Sequence, residues 1–433
     1  MTPLTVGYMG IGVLIVALFS GIHIGVVMGA VGFLGIAVIS GWPSGLMVLK
    51  TVPYTTFANY SMSVVPLFIL MGAICFYAGI SKDLYRTVHK WLGHMRGGLA
   101  MASVGACAAF AAISGSSLAT AATMGTVALP EMKRYKYDLS LASGAIAAGG
   151  TIGILIPPSV PLIIYGILAN QSIGKLFMAG LIPGILEAVF YIVTIYILCR
   201  LNPSIGPQGP KTNFVEKIGS LKSTWIVLLL FVVVIGGIYV GIFSPTEAAG
   251  VGACSAFVFA LARRSLSFTD FRKSIASSVK TTAMIFVIFL GAMILGYFLA
   301  VTRLPFELAD FVGGLAVNRY VVLLTILVVY LLLGCVMDSL AMILLTIPIF
   351  YPLITALEFD PVWFGIIVVR AAEIGLITPP VGLNVFVIKG IATDIPMFTI
   401  FRGIVPFIIA DICHVAMLIL VPQVALFLPT LMK

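Results

Sequence analysis

The chain has 433 residues, of which 61% are hydrophobic and only 9% are charged, and its mean hydropathy is +1.19. This composition excludes a soluble globular protein and indicates a polytopic membrane protein surrounded by lipid. The net charge of +9 does not indicate a nucleic-acid partner, because the basic residues lie in short loops where the positive-inside rule predicts them.

Apolar runs long enough to cross a membrane recur along the whole chain. A span needs roughly 20 apolar residues. The predicted spans are 3–20, 22–40, 62–80, 139–169, 174–199, 224–242, 246–262, 275–300, 361–391 and 397–427. No Lys or Arg precedes Lys50, so we expect the first run to be a retained span and not a cleaved signal peptide.

Two further apolar stretches, about 98–130 and 320–352, are too long for one span. They are interrupted near their centres by ISGSSLA and GCVMDSLA. Each half is about 14 to 16 residues long, which at 1.5 Å per residue covers only about 21 to 24 Å of a hydrocarbon core of about 30 Å. The pattern therefore predicts two re-entrant helical hairpins.

Two predicted spans, about 139–169 and 361–391, contain consecutive prolines. The helix-breaking residues are Pro157 and Pro158 in GTIGILIPPS, and Pro379 and Pro380 in EIGLITPPVG. Proline inside a helix removes a hydrogen-bond donor and clashes with the preceding turn, at a cost of about 3 kcal/mol, and lipid offers no water to replace the lost bond. We predict that both helices are broken.

Carbonyl oxygens one turn before each proline pair are candidates for a cation site. The prolines cannot donate to the carbonyls near Gly153 and Ile154, or near Gly375 and Leu376, and Thr378 adds a hydroxyl. Oxygen ligands of this kind suit a hard cation such as sodium.

Similar residues recur in the two halves of the chain at one constant sequence offset, which equals the separation between Ser117 and Ser339. Matching positions include Ser117, Pro130, Gly153, Pro157 and Pro158 in the first half and Ser339, Pro352, Gly375, Pro379 and Pro380 in the second. This indicates an internal duplication, with repeats at 1–211 and 212–433. Because each half holds five spans and a hairpin, an odd number, we expect the second repeat to lie inverted.

Charge and architecture together predict how the repeats are used. Basic residues flank the first hairpin, whereas Glu358 and Asp360 follow the second, so the first should enter from the cytoplasm and the second from outside. Inverted repeats with broken helices are typical of secondary transporters, which bind ion and substrate near the midplane.

The hairpin turns are candidates for the substrate side of the site. Ser114, Ser116 and Ser117 can present hydroxyls and amides at a helix start, which favours carboxylate oxygens. The matching residues of the second copy are Gly334, Asp338 and Ser339. Taken singly, such small residues also serve close helix packing. An acid such as Asp338 costs about 2.5 to 3.5 kcal/mol at the centre of a membrane helix, so it needs a partner, cation or cap.

Other charged residues in the spans admit two interpretations. Glu187 and Asp411 lie in the last span of each half, and Arg370, Glu373 and Lys389 flank the second broken helix. Structural ion pairs and side chains that reach the interface explain most such residues. Arg370 is the best placed of them to face an anionic substrate.

At this point the motifs resemble a known family. AAISGSSLATAATMGTVALPEM with GGTIGILIPPS, and EIGLITPPVGLNVF, are similar to the large membrane subunit, DctM-like or M, of tripartite ATP-independent periplasmic (TRAP) transporters. The resemblance covers essentially the whole chain. It implies an all-α, ion-transporter-superfamily-like fold in the bacterial inner membrane, sodium coupling, and an elevator in which a domain carrying both hairpins slides against a scaffold.

The resemblance also implies partners and site residues. The partners are a small four-helix membrane subunit (Q type) and a periplasmic substrate-binding protein (P type) that delivers an organic acid such as a C4-dicarboxylate or sialic acid. The implied sodium ligands are Ser114, Ser117, Gly153, Ile156, Gly334, Gly375, Thr378 and Val381. The substrate candidates are Ser116, Asp338, Ser339 and Arg370. Because Asp338 stands where the first copy has Ser116, the two sites need not be equivalent.

Three alternatives remain open from the sequence. One is a stand-alone sodium/carboxylate or ion symporter of the same architecture, without partner subunits. An intramembrane serine protease using GSS would need a general base, and only His23 and His414 lie in predicted spans, each without a motif. A channel is less favoured, because inverted repeats around a closed site favour a carrier. We therefore expect a transporter and not an enzyme.

Overall fold

A computed structural model of the protein describes residues 2–18, 20–209, 212–314 and 317–432. Within these ranges the fold is helical and contains no β-strand, as predicted. The α-helices are α1 Pro3–Leu18, α2 Ile24–Ser40, α3 Trp42–Phe57, α4 Val64–Tyr77, α5 Ile80–Leu92, α6 Gly98–Ser114, α7 Ser117–Arg134, α8 Leu139–Thr151, α9 Val160–Leu168, α10 Ile173–Leu201, α11 Phe214–Phe231, α12 Gly237–Tyr239, α13 Pro245–Ala262, α14 Phe268–Thr302, α15 Leu304–Gly314, α16 Arg319–Gly334, α17 Ser339–Ala356, α18 Pro361–Gly375, α19 Leu383–Ile391, α20 Met397–Leu420 and α21 Gln423–Leu431.

Six helical segments of the described chain are long and apolar enough to cross a membrane, or seven if a bent pair over 214–239 is one span. The six are Tyr60–Tyr77, Ile173–Leu201, Pro245–Ala262, Phe268–Thr302, Ser339–Ala356 and Met397–Leu420. The predicted spans 3–20 and 22–40 contain shorter helices, of 16 and 17 residues. Conversely, α17 has 18 residues, longer than predicted for half a hairpin.

The sequence did not predict α3 or α15. α3 contains Lys50 and an internal proline, Pro53, which lower its mean hydropathy below that of the neighbouring helices. α14 is also longer than its predicted apolar run, because it begins in polar sequence at Phe268, after the capping residue Ser267. Local capping, which a search for apolar runs does not detect, sets this boundary.

Helix boundaries recur at the offset found in the sequence. α7 and α17 match at both ends under that offset, at Ser117 and Ser339 and at Arg134 and Ala356. One difference is that α3 and α4 are separate, whereas α14 runs unbroken through the equivalent region. The predicted boundary between the repeats 1–211 and 212–433 adjoins residues 210–211, which lie outside the described residues, and the division into two inverted repeats stays a prediction.

The helices that position the site lie in the interior of the molecule. Every residue from Leu141 to Thr151 in α8, and from Val362 to Gly375 in α18, is buried. α8 packs against α7, α6 and α20, while α18 packs against α16 and α17. Glycine permits the closest approach, since a Cβ atom on Gly403 of α20 would lie 1.9 Å from the carbonyl oxygen of Ser140.

Candidate functional site

A cavity of about 520 Å³ lies where the turns of the two helical hairpins meet. The α6–α7 turn contributes Ser114 through Ser117, and the α16–α17 turn contributes Asp338 and Ser339. Ile154 and Leu376, from the two broken helices, complete this part of the wall. Predicted site residues from both halves of the chain are therefore brought together at one cavity.

The polar side chains at the turns begin the second helix of each hairpin. The Ser116 hydroxyl accepts a bond from the amide of Ala119 at 3.4 Å, and an Asp338 carboxylate oxygen accepts one from the amide of Ala341 at 3.0 Å. Both are N-caps, at the positive end of the helix dipole. The cap is the partner that a carboxylate at Asp338 was predicted to need.

A threonine that the sequence did not indicate joins the predicted ligands of the first half. The Ser114 and Thr120 hydroxyls lie 2.8 Å apart, and Thr120 donates to the carbonyl of Ser116, also at 2.8 Å. A Cβ atom on Gly153 would lie 3.2 Å from the Thr120 hydroxyl oxygen. The hairpin turn thus lies directly against the first broken helix. Thr120 sits one helical turn after the cap, the only signal that could have identified it.

The predicted ligands of the second half meet in a similar way. A Cβ atom on Gly375 would lie only 2.6 Å from the Cα atom of Gly334, so the end of α16 touches the end of α18. The Thr378 hydroxyl donates to the carbonyl of Ile374 at 2.6 Å, which leaves its oxygen lone pairs available. Val381 follows Thr378 and is half-buried.

The breaks differ in their surroundings. α8 ends at Thr151 and α9 begins at Val160, with Pro157 and Pro158 buried between them. Around the second break, Pro379 and Pro380 are exposed. The Ile156 side chain packs against α10, where a Cβ atom on Gly184 would lie 2.6 Å from its Cγ1 atom.

The prediction that the carbonyls of Gly375 and Leu376 are unpaired is wrong. Gly375 accepts a bond from the amide of Thr378, and Leu376 accepts one from the amide of Asn384, both at 3.1 Å. The chain turns after the break and brings these amides back towards the helix end. Each carbonyl retains a second lone pair, so coordination by these oxygens requires no broken bond.

The prediction that Arg370 faces an anionic substrate is also wrong. Its side chain is fully buried and is not among the residues that line the cavity. Nη1 lies 2.7 Å from Oε1 of Glu187, Nη2 contacts Asp411, and the Tyr191 hydroxyl lies 3.3 Å from Nη2. The alternative interpretation, a structural ion cluster, holds here: the guanidinium of α18 joins acids from α10 and α20.

Comparisons with known proteins agree with this architecture. Residues 11–424 match the sequence profile of the family described as tripartite ATP-independent periplasmic transporter, DctM component. The C4-dicarboxylate TRAP transporter large permease protein DctM of Pseudomonas aeruginosa is 37% identical over 93% of each chain. The sialic acid TRAP transporter large permease protein SiaM of Vibrio cholerae is 36% identical, over 86% of this chain and 87% of that protein.

Among solved structures, the YdaH transporter of Alcanivorax borkumensis has a similar fold. The TM-score is 0.62 at 13% sequence identity, covering 89% of this chain and 88% of that one. An identity this low supports a shared fold alone. The profile and the two permease relatives extend over nearly the whole chain, and the chain therefore belongs to the DctM component family of tripartite ATP-independent periplasmic transporters.

Proposed function

We propose that this chain is the large membrane subunit of a sodium-coupled importer for a small organic acid anion. The observation that carries the proposal is the cavity shared by the two hairpin turns. Its lining is largely apolar but includes serine and threonine hydroxyls and the capped starts of α7 and α17, where helix dipoles favour carboxylate groups. The names of the relatives, C4-dicarboxylate and sialic acid permeases, supply the substrate class.

The charge of the cavity supports sodium coupling. Its lining, among the described residues, includes the acid Asp338 and no Lys, Arg or His. Bound sodium would supply the positive charge that such a cavity needs to hold an anion. Hydroxyl and carbonyl oxygens suit this hard cation, and the residues that would hold it are those named in the two halves: Ser114, Ser117, Gly153 and Ile156, and Gly334, Gly375, Thr378 and Val381.

The wider proposal follows the family. The two halves would form inverted repeats in the bacterial inner membrane, and a domain carrying both hairpins would move as an elevator against the remaining helices. A Q-type small membrane subunit and a P-type periplasmic binding protein would complete the system. The matching boundaries of α7 and α17 support the repeats, and the large-permease names of the relatives support the partners.

Uptake into proteoliposomes tests the function. We expect a labelled C4-dicarboxylate or sialic acid to accumulate only with an inward sodium gradient, the small subunit and the binding protein. Uptake that persists after the sodium gradient is collapsed would contradict sodium coupling. Uptake by this chain alone would instead favour a stand-alone symporter.

A pair of threonine variants tests the sodium assignment. Thr378→Ala removes a predicted ligand, and Thr325→Ala is its control, because the exposed Thr325 hydroxyl also donates one turn back, to the carbonyl of Val321, at 2.9 Å. We expect Thr378→Ala to raise the sodium concentration for half-maximal uptake about tenfold, as for changes around other metal sites, and Thr325→Ala to leave it unchanged. Equal effects would remove Thr378 from the site.

A further inference from the structure

Glu373 is an acid inside the molecule for which the proposed function gives no role. It lies on α18 and is fully buried. Neither carboxylate oxygen makes a hydrogen bond of normal geometry within the described chain, although the Ser339 and Ser117 hydroxyls are close enough to interact with it. Buried polar groups are nearly always paired, so this carboxylate needs an explanation.

The position of Glu373 relates it to both hairpins at once. Ser117 is the first residue of α7 and Ser339 the first residue of α17, and the two are equivalent positions of the two halves. Both also line the cavity. The position equivalent to Glu373 in the first half is Thr151, a neutral residue whose hydroxyl donates to Glu187 at 3.1 Å. The acid therefore occurs in one copy only.

The nearby charges do not neutralise Glu373. Glu187 and Arg370 act on it electrostatically, but Arg370 already contacts the carboxylates of Glu187 and Asp411. These groups comprise three carboxyl groups and one guanidinium, so full ionisation would leave an excess of two negative charges in a buried region. Tyr191 and His414 border the same cluster and supply no balancing charge in their neutral forms.

The helix starts beside Glu373 reduce this excess only in part. Each helix N-terminus carries roughly half an elementary charge, spread over its free amides. Burial of an ion in a low-dielectric interior is not offset by such partial charges when direct hydrogen bonds are lacking. A cation held at the carboxylate would remove the imbalance.

We propose that the Glu373 carboxylate, together with the Ser117 and Ser339 hydroxyls, holds a sodium ion between the two hairpin turns. The proposal rests on the sodium coupling inferred above and adds a shared site to those predicted in the two halves. One charged and two neutral oxygen ligands match the preference of a hard cation. An ion at this place ties the starts of α7 and α17 to α18, next to the cavity.

Thermal unfolding of the purified protein in lipid nanodiscs tests the site without transport. The midpoint is measured against sodium chloride concentration, with potassium chloride keeping the ionic strength constant. Glu373→Gln keeps the shape of the side chain and removes its charge. The matched control is Glu358→Gln, in an exposed turn. We expect sodium to stabilise the wild type and the control, and the apparent sodium affinity of Glu373→Gln to fall about 10- to 100-fold.

The outcomes separate this inference from the proposed function. A Glu373→Gln protein with the sodium response of the wild type overturns the site while sodium coupling stands. A wild type that sodium does not stabilise more than potassium overturns both. If Glu373→Gln does not fold, Ser339→Ala carries the test, since loss of one neutral ligand should weaken the sodium response several-fold. An unchanged response in that variant again overturns the site.

Discussion

Replacing Arg370 with methionine tests whether the buried ion cluster stabilises the fold. Methionine keeps much of the volume and removes the charge. The variant leaves the carboxylates of Glu187 and Asp411, both fully buried, without their cation. The three residues lie on α18, α10 and α20, so the perturbation affects the packing of all three helices.

The structure sets the expected magnitude. Breaking one buried ion pair by removal of one partner typically costs about 3 to 5 kcal/mol, because the remaining charge stays buried. Arg370 has two such partners, so we expect Arg370→Met to lower the free energy of unfolding by at least about 3 kcal/mol. Combining it with Glu187→Gln and Asp411→Asn should restore much of the lost stability, because a neutral cluster leaves no buried charge without a partner.

Unfolding in detergent micelles, followed by tryptophan fluorescence, measures this effect. Trp363 is a suitable reporter, because it is buried on α18 and its indole N–H donates to the carbonyl of Leu418 at 2.9 Å. The control is Arg402→Met, an exposed arginine on α20. Equal destabilisation by the two variants would refute the structural role. Unchanged stability together with a raised KM for substrate would instead support a role for Arg370 in substrate binding.

Two further predictions concern the second hairpin turn and the end of α18 that packs against it. Gly375→Ala should destabilise the protein by about 1 to 3 kcal/mol, because its Cβ atom would lie 2.6 Å from the Cα atom of Gly334. The control is Gly390→Ala, which has no neighbouring atom within 4 Å and should cause no loss of stability. Equal melting temperatures of the two variants would contradict the contact. Asp338→Ala should lose about 1 kcal/mol with its bond to the amide of Ala341. Asp338→Asn should keep the stability of the wild type. An equal loss of stability in the two variants would mean that the negative charge of Asp338 stabilises the helix, and not its capping hydrogen bond.

The residues that bound the helices at the site could be recognised from the sequence. Ser116 and Asp338 cap α7 and α17, and the proline pairs lie between the helices of each break. Caps and prolines act within one turn of the backbone, so their effect is local and readable from short motifs. The same holds for the all-helical class, which follows from the apolar runs.

Partners across the fold were decided only by the tertiary structure. The sequence placed Arg370 in a membrane helix but could not show that Glu187 and Asp411 converge on it. It also could not show that the backbone amide of Asn384 donates a hydrogen bond to the Leu376 carbonyl. Such contacts depend on how helices far apart in the chain cross and rotate. Motifs therefore determined where the chain turns, and the packing of α7, α17 and α18 decided which side chains meet, including Ser117, Ser339 and Glu373.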